Sequence, residues 1–179
     1  MKIIPKRFSG KDISKHVEWI NNPSINKNMY FDLPASIEKT ERWFSGNIDN
    51  KKRIDFSFFN TENELIAMGG YTAIDVIHNN AEFYVMVNPN MHGRGIGKKV
   101  SKWMYNYAFS SLNLNKIYLY TNDDNVSAYK IYENAGFRLE GVLRNHKWKN
   151  GKYQNRRVYG LLKSEWNLLE WKKEINYEI

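Results

Sequence analysis

The segment His92-Gly93-Arg94-Gly95-Ile96-Gly97-Lys98 carries the strongest structural signal in the sequence. It follows an apolar run that ends at Asn88-Pro89, and Val100, Met104 and Ala108 come next at helical spacing. Glycine lets a backbone approach a ligand closely, and the first turn of a helix presents unpaired N–H groups and the positive end of the dipole. The segment therefore predicts a phosphate-binding turn between a strand and a helix.

Two other phosphate-binding motifs do not fit this turn. The dinucleotide fingerprint requires glycine where Lys98 stands, and no acidic residue follows about twenty residues later. The P-loop requires a Gly-Lys-Ser/Thr sequence after a longer gap, and this segment lacks it. Taken alone, the turn is also compatible with an ordinary strand-to-helix connection whose glycines serve packing.

The composition predicts a single domain that spans residues 1–179. This length is enough for one well-buried core, and no repeat or linker-like stretch interrupts it. Hydrophobic residues make up 42% of the chain and aromatic residues 15%, which is typical of globular proteins. There is no cysteine, so disulfides, thiolate metal sites and a cysteine nucleophile are excluded. Residues 1–7 contain no apolar signal core, and we expect a cytoplasmic protein.

Hydrophobic periodicity predicts a mixed α/β order of elements. Strands are expected at residues 2–8, 54–59, 65–74, 81–87, 116–121, 137–148 and 153–162. Helices are expected at residues 12–21, at residues 36–48, directly after the glycine turn, and at residues 125–135. The helix at residues 36–48 would have Ser36 as its N-cap and Ile37, Phe44 and Ile48 on one side. Residues 26–34 are interpreted as an irregular loop, and Asn150-Gly151 as a hairpin turn.

A second motif lies downstream of the glycine turn. Residues 125–137 read Asn-Val-Ser-Ala-Tyr-Lys-Ile-Tyr-Glu-Asn-Ala-Gly-Phe. Together the two segments resemble the signature of the GNAT superfamily, Gln/Arg-x-x-Gly-x-Gly/Ala followed by Asn-x-x-Ala-x-x-x-Tyr-x-x-x-Gly-Phe. His92 departs from the commonest first residue of that signature. Two motifs at this separation are more specific than either alone, and the resemblance covers nearly the whole chain.

The resemblance implies a GNAT fold, an α+β arrangement in which about four helices flank a mostly antiparallel, splayed sheet of six or seven strands. It also implies an enzyme that uses acetyl-CoA to acetylate a primary amine. The backbone of Val85, Met86 and Val87 would receive the pantetheine arm and acetyl carbonyl, and the glycine turn would hold the pyrophosphate. Asn125 would hydrogen-bond the pantetheine. Since the chain lacks cysteine and a nucleophilic serine motif, we expect direct attack in a ternary complex.

Tyr132 and Glu82 are the candidate catalytic residues that the resemblance implies. A phenol with a pKa near 10 is protonated at neutral pH, so Tyr132 could protonate the departing thiolate; core packing is the competing interpretation. Glu82 is the candidate general base, although a salt-bridged strand carboxylate would occupy the same position. Other candidates for the base are Asp32, Asp75, His78, His146 and a water chain. No His and carboxylate pair has metal-ligand spacing, and no metal is predicted.

The net charge of +8 is concentrated in two segments. Residues 83–122 contain five basic residues and no acidic residue, and residues 141–164 contain seven and none. A solvated basic surface is one interpretation, and an anion site is the other. Because residues 141–164 lie outside the glycine turn, they favour an anionic acceptor. Arg144, His146 and Lys149 are the candidate substrate-binding residues.

Within the superfamily, the chain resembles the branch of ribosomal-protein N-terminal acetyltransferases, spermidine acetyltransferases and pseudaminic-acid-type amino-sugar acetyltransferases. Residues 18–23, 41–44, 140–144 and 149–153 carry this resemblance. The predicted acceptor is a nucleotide-linked amino sugar, with a protein N-terminus or a polyamine as alternatives. A non-enzymatic alternative is an RNA-binding module in which Trp148 and Tyr153 stack on bases. No membrane or DNA partner is expected, and a homodimer is left open.

Overall fold

Seven strands and six α-helices make up the part of the chain that this computed structural model describes, residues 2–171. The strands are β1 (Ile4–Arg7), β2 (Ile54–Phe59), β3 (Leu65–Asp75), β4 (Asn80–Val87), β5 (Lys116–Asn122), β6 (Arg138–Lys149) and β7 (Lys152–Leu162). The helices are α1 (Ile13–Asn21), α2 (Pro23–Asn26), α3 (Ile37–Ser45), α4 (Ile96–Asn106), α5 (Val126–Asn134) and α6 (Lys163–Asn167).

The strands are hydrogen-bonded in the order β1-β2-β3-β4-β5-β7-β6. β2 is antiparallel to both β1 and β3, and β7 is antiparallel to both β5 and β6. β4 and β5 are parallel and pair Asn80, Ala81 and Glu82 with Lys116, Ile117 and Tyr118. This mixed α/β sheet confirms the predicted fold class.

The first of two compact units consists of residues 2–74 and 83–101. Its core contains Trp19 and Ile25 packed with Met68 and Met86, all at most 7% exposed. α1 ends at the predicted place, but residues 26–34 are preceded by a helix that the sequence analysis missed. Asn22 caps α2 by accepting the Ser24 N–H at 2.9 Å, and Pro23 takes the first helical position, where its missing N–H costs nothing.

Helix α3 begins where its cap was predicted, and its predicted apolar face is wrong. The Ser36 hydroxyl accepts the Lys39 N–H at 3.2 Å. Ile37 and Ile48, which the spacing placed on the packed side, are 50% and 65% exposed. The buried residue of α3 is Thr40, whose hydroxyl donates to the Ser36 carbonyl at 2.9 Å. The hydrogen-bonded hydroxyl of Thr40 therefore faces the interior, where Ile37 and Ile48 were expected.

The second compact unit consists of residues 75–82 and 102–171 within the described range. Its core is built from Tyr105 and Phe109 together with the inward residues of β5 and β7, among them Ile117, Leu119 and Leu161. The chain continues past α4 as a π-helix, Tyr107–Ser111, in which the Leu112 N–H donates to the Tyr107 carbonyl at 3.0 Å. The predicted α-helical spacing therefore ends at the start of this wider turn.

The hairpin between β6 and β7 closes at Asn150 and Gly151, as the sequence predicted. Their φ angles of 52° and 77° are those of a turn that matches the twist of antiparallel strands. Gly136, with φ of 99°, ends α5 in the left-handed conformation. Within residues 2–171, no helix is both long and apolar enough to cross a membrane.

Candidate active site

Strand β4 leads into the glycine turn of the first unit. Asn88 fixes the exit from the strand: its amide donates to the Leu65 carbonyl at 3.0 Å, and its side-chain oxygen accepts the Asn90 N–H at 3.0 Å. A short 3-10 turn, Pro89–Met91, follows. The predicted sequence of strand, glycine turn and helix is therefore present.

The glycines of this turn have two different roles. Gly93 and Gly95 have φ angles of 78° and 73°, and a Cβ atom on either would meet nothing within 4 Å. Their backbone conformation requires glycine, and no side chain fills the space beside them. Gly97 serves packing, because a Cβ atom there would lie 3.3 Å from Cγ2 of Val87.

The start of α4 has the properties of an anion site. The Lys99 N–H donates to the Gly95 carbonyl at 3.2 Å, so the N–H groups before it lie ahead of the helical hydrogen bonds. Arg94, Lys98 and Lys99 are exposed, and their side chains have no hydrogen bond or ion pair within the described residues. Open glycine backbone, unpaired N–H groups and cationic side chains fit a pyrophosphate.

His92, the departure from the family signature, has a local structural role. Its Nε2 lies 3.2 Å from the Val87 carbonyl oxygen, so a protonated Nε2 would donate to the end of β4. The imidazole is exposed. The side chain therefore ties the glycine turn to the strand whose backbone is predicted to receive pantetheine.

A pocket of about 330 Å³ opens in the same unit. Two side chains of β4, Tyr84 and Met86, point into it because alternate residues of a strand share a face. The rest of its wall is mostly aromatic and apolar. The lining residues are His16, Ile20, Met29, Phe31, Asp32, Ala35, Lys39, Thr40, Trp43, Arg53, Tyr84 and Met86.

One wall of the pocket is a polar clamp that the sequence analysis missed. Arg53 donates from Nε and Nη2 to the two carboxylate oxygens of Asp55 at 2.7 and 2.9 Å. The Tyr84 hydroxyl donates to the same carboxylate through a short hydrogen bond. Burial, followed by the Asp55 charge, raises the pKa of Tyr84 far above its usual range, so its phenol is neutral. Arg53 and Asp55 are two residues apart and share a face, a spacing that could have pointed to the pair.

Gly70 on β3 makes room for this clamp. A Cβ atom at position 70 would lie 2.3 Å from the Ile54 carbonyl oxygen, 2.9 Å from a Tyr84 ring carbon and 3.1 Å from an Asp55 oxygen. Such distances are shorter than van der Waals contact. Glycine at position 70 is therefore a requirement of the pocket wall.

His16 contributes a neutral imidazole to the pocket. Its ring stacks on Trp43, with centroids 5.6 Å apart, and meets the Phe8 ring edge-on at 5.3 Å. Burial lowers the pKa of His16 to about 4, against the opposing effect of the Asp55 charge. Its Nδ1 is buried and has no hydrogen-bond partner within residues 2–171.

Asp32 and Lys39 form the exposed part of the lining. Their side chains pair at 3.1 Å and are 85% and 56% exposed. Asp32 was one of the candidate bases, and here its carboxylate pairs with a cation in solvent. Such a pair contributes little stability, so Asp32 can exchange partners at little cost.

Asn125 and Tyr132 belong to the second unit, at the start and near the end of α5. The Asn125 side-chain oxygen accepts the Ser127 hydroxyl at 3.2 Å, and its amide nitrogen has no partner within the described residues. Burial raises the pKa of Tyr132 to about 12. Its ring lies 5.9 Å from that of Phe137, and its hydroxyl makes no hydrogen bond within residues 2–171. Both polar groups are therefore available to a ligand.

Glu82 lies in the second unit beside tyrosines. It pairs in register with Tyr118, and burial, followed by the Glu82 charge, raises the pKa of that phenol. Two other candidate bases lie before Glu82 in the chain: Asp75 ends β3, and His78 lies in the turn that leads to β4. Asp75 accepts the N–H groups of Ile77 and His78 at 2.9 Å. Asp75 therefore stabilises a turn. Within the described residues, no cluster of three or more His, Asp or Glu side chains could hold a metal ion.

Two arginines of the basic segment 141–164 make hydrogen bonds within the second unit. Arg157 donates to Asp123 at 2.6 Å and lies over the Tyr129 ring at 4.2 Å. Arg156 donates to the Tyr120 carbonyl at 3.0 Å. These two arginines therefore stabilise the fold, and two of the seven basic residues in segment 141–164 make contacts that do not involve a bound anion.

The three candidate substrate-binding residues all lie on β6. Arg144 and His146 are exposed, with the His146 ring 6.1 Å from that of Tyr120, and Lys149 is half-buried. Desolvation lowers the pKa of Lys149. Trp148 and Tyr153 are 60% and 61% exposed, and their rings pack edge-to-face at 4.8 Å.

Comparison with known proteins identifies the class. Residues 5–138 match the family model described as an acetyltransferase (GNAT) domain. A spermidine N(1)-acetyltransferase of Vibrio cholerae is 29% identical over 154 residues, which cover 84% of this chain and 89% of the relative. The acetyltransferase PseH of Campylobacter jejuni is 25% identical over 135 residues, which cover 74% and 80%.

A solved structure gives the same result at the level of the fold. Spermidine N-acetyltransferase from Vibrio cholerae in complex with CoA and spermine has a TM-score of 0.89 and 26% identity, and the match covers 92% of this chain and 98% of that one. The chain belongs to the GNAT acetyltransferase family. It is an N-acyltransferase that depends on acetyl-CoA, as predicted.

Proposed function

We propose that this chain acetylates a primary amine of a small polyamine, and that the pocket of the first unit receives the acceptor. The pocket carries the proposal, because Tyr84 and Met86 line it from the strand whose backbone is expected to receive the acetyl carbonyl. The V. cholerae relatives are spermidine N-acetyltransferases, which supports a polyamine as the acceptor. The nucleotide-linked amino sugar that the charge pattern predicted has weaker support, from the less similar PseH.

The lining suits an aliphatic amine. Ile20, Met29 and Met86 present apolar surface to methylene groups, and Phe31 and Trp43 present rings. Asp32 is the exposed carboxylate of the lining, and its weak pair with Lys39 leaves it able to bind a distal ammonium group. A polyamine has this pattern of methylene groups between amines.

Acetyl-CoA supplies an activated acetyl thioester. For this chain we assign the pyrophosphate to the backbone and cations of the glycine turn, and the pantetheine to Asn125 and the backbone of Val85, Met86 and Val87. Tyr132 is the proposed general acid, since a phenol with a pKa of about 12 holds its proton at neutral pH. Glu82 stays the proposed general base.

An amine on a sugar ring is the second candidate acceptor. The Phe31 ring in the pocket lining favours it, because sugar rings pack on aromatic side chains. The acid-free segment 141–164 also favours a nucleotide-linked form, although Arg156 and Arg157 are occupied elsewhere. Arg144, His146 and Lys149 would then be the residues that bind the anionic part.

A free-thiol assay separates these acceptors. Acetyl-CoA would be offered with spermidine, spermine, nucleotide-linked amino sugars and short peptides with free N-termini. We expect the fastest thiol release with a polyamine; preference for the amino sugars would select the second candidate. CoA at about one hundred times its Kd should stabilise the fold by about 2.7 kcal/mol. A protein that binds CoA but releases thiol with none of these amines would overturn the proposed acceptors.

A further inference from the structure

Helix α5 carries Tyr132, the proposed general acid, although little apolar packing holds this helix in place. Among the described residues of α5, none is buried, and Val126 and Ile131 are 44% and 47% exposed. Tyr132 is half-buried, and its ring lies 5.9 Å from that of Phe137. The position of α5 therefore depends on its polar contacts.

Two side chains of β7 contact α5 at points one helical turn apart. Arg157 lies over the Tyr129 ring at 4.2 Å, and the Tyr159 hydroxyl donates to the Glu133 carboxylate at 2.7 Å. The two spacings match, since four helical residues rise about 6 Å and two strand residues rise about 6.6 Å. Both contacts can therefore form at once along a straight helix.

The Arg157 contact lies at the end of α5 where pantetheine is expected. Arg157 also donates to Asp123 at 2.6 Å, and Asp123 comes two residues before Asn125. This ion pair joins the loop between β5 and α5 to β7. The position of Asn125 is therefore supported by a contact that does not involve Tyr159.

The Tyr159 contact lies beside the general acid, because Glu133 directly follows Tyr132 in the helix. Tyr159 is 0% exposed, and burial, followed by the hydrogen bond to Glu133, raises the pKa of its phenol. The phenol therefore keeps its proton and donates it to the hydrogen bond. A side-chain tip about 5–6 Å from a helix axis moves by about 1 Å when the helix turns by about 10°. The contact with Glu133 therefore limits the movement of the Tyr132 hydroxyl.

We propose that Tyr159 is a positioning residue that sets the place of the Tyr132 hydroxyl through Glu133. This inference rests on the proposed function, in which Tyr132 is the general acid. As the amine forms the C–N bond and the C–S bond breaks, the Tyr132 proton passes to the CoA sulfur, and the phenolate regains a proton from water. Tyr159 and Glu133 exchange no proton in this step. A misplacement of about 1 Å caused far from the chemistry can cost about 10²-fold in rate.

The first test separates turnover from CoA binding. Tyr159→Phe removes the hydroxyl and keeps the buried ring. With spermidine, or whichever amine of the panel the wild type acetylates fastest, kcat should fall by roughly tenfold. The Kd for CoA should stay unchanged, because Arg157 still holds the loop before Asn125. Thiol release and CoA titration measure the two quantities.

Two variants of Glu133 test the same hydrogen bond from the helix side. Glu133→Gln keeps an oxygen that accepts from Tyr159, so its kcat should be close to the wild-type value. Glu133→Ala removes the acceptor and should match Tyr159→Phe. Because Glu133 is exposed, Glu133→Ala also replaces Tyr159→Phe in every comparison if the latter does not fold.

A double variant tests whether Tyr159 acts through Tyr132. In the Tyr132→Phe background, adding Tyr159→Phe should leave kcat unchanged, because no hydroxyl remains to be positioned. Leu161→Val is the matched control for stability, since it removes one buried methylene group two residues along β7 and keeps the Tyr159 hydroxyl. It should lower the melting temperature and leave kcat unchanged.

The outcomes separate the inference from the proposed function. A wild-type kcat in Tyr159→Phe, or a further tenfold loss when it is added to Tyr132→Phe, would overturn the inference and leave the role of Tyr132 in place. An equal loss of kcat in Leu161→Val would overturn it as well. If Tyr132→Phe alone keeps the wild-type kcat, the general acid is wrong and the inference is wrong with it. Failure of the wild type to acetylate any amine of the panel would remove the proposed function itself.

Discussion

Arg53 and Asp55 face each other through two parallel hydrogen bonds of 2.7 and 2.9 Å, with one residue between them in the sequence. Fork-shaped pairs of this kind fix the plane of the guanidinium as well as its position. The pair stands at the edge of a pocket whose other lining is mainly aromatic and aliphatic. The pocket thus combines an apolar surface with a guanidinium that is rigidly held in its wall.

Replacement of Tyr132 by Phe should lower kcat by roughly 10²–10⁴-fold and leave the Kd for CoA unchanged. The hydroxyl makes no hydrogen bond within residues 2–171, so the free energy of unfolding should also stay the same. Steady-state kinetics and CoA titration would measure the two effects. Tyr129→Phe on the same helix is the control, and equal kcat values for the two variants would remove Tyr132 from the role of general acid.

Replacement of Gly95 by Ala should raise the KM for acetyl-CoA several-fold. The space for a methyl group is present, but φ of 73° disfavours any side chain by about 1–2 kcal/mol, so the turn should change its backbone path. Gly10→Ala provides the comparison, because position 10 also has open space and its φ is not positive. An unchanged KM with lowered stability would mean that the turn does not bind the cosubstrate.

Stability should decrease as the pH falls from about 6.5 to about 4, in part because of His16. Its pKa is about 6.5 when unfolded and about 4 when folded, so the unfolded chain binds the extra proton in this interval. Above pH 6.5 both states are neutral and no penalty exists. Urea unfolding at pH 7.5 and 5 should show a smaller loss for His16→Gln than for the wild type. The exposed His78→Gln variant should behave like the wild type.

Arg157 and Arg144, both in the basic segment 141–164, should differ in how replacement by Gln affects the melting temperature and the acceptor KM. Arg157→Gln removes the hydrogen bond to Asp123 and the contact with Tyr129, and it should lower the melting temperature by a few degrees. Arg144 is exposed, so Arg144→Gln should leave the melting temperature unchanged. If β6 binds the acceptor, Arg144→Gln should raise the acceptor KM. A raised KM for Arg157→Gln at unchanged stability would return that residue to the binding surface.

The glycine turn and the second motif could be predicted because their signals are local. Positive φ at Gly93 and Gly95 and the left-handed end of α5 at Gly136 each depend on one residue type at one position. The hairpin turn at Asn150-Gly151 has the same origin. The catalytic assignments of Tyr132 and Glu82 stay predictions, since they depend on ligands rather than on local backbone preference.

The pocket could not be predicted because its members are distant in sequence. His16, Trp43, Arg53 and Tyr84 come from four separate segments, and only tertiary packing gives them a common wall. Charge counting also treated all basic residues alike, whereas Arg156 and Arg157 make hydrogen bonds within the fold. Helical spacing placed Ile37 and Ile48 on a packed face, whereas both are exposed. Periodicity contains no information on where the neighbouring elements end.

The polar clamp in the pocket wall depends on the absence of a side chain at Gly70 of β3. Any side chain at position 70 would meet the Ile54 carbonyl, which belongs to the backbone and cannot rotate away. Sequences that keep Arg53, Asp55 and Tyr84 are therefore expected to keep glycine here as well, and those that lose the clamp are released from this constraint. Position 70 can thus serve as a marker for relatives that keep the clamp of Arg53, Asp55 and Tyr84.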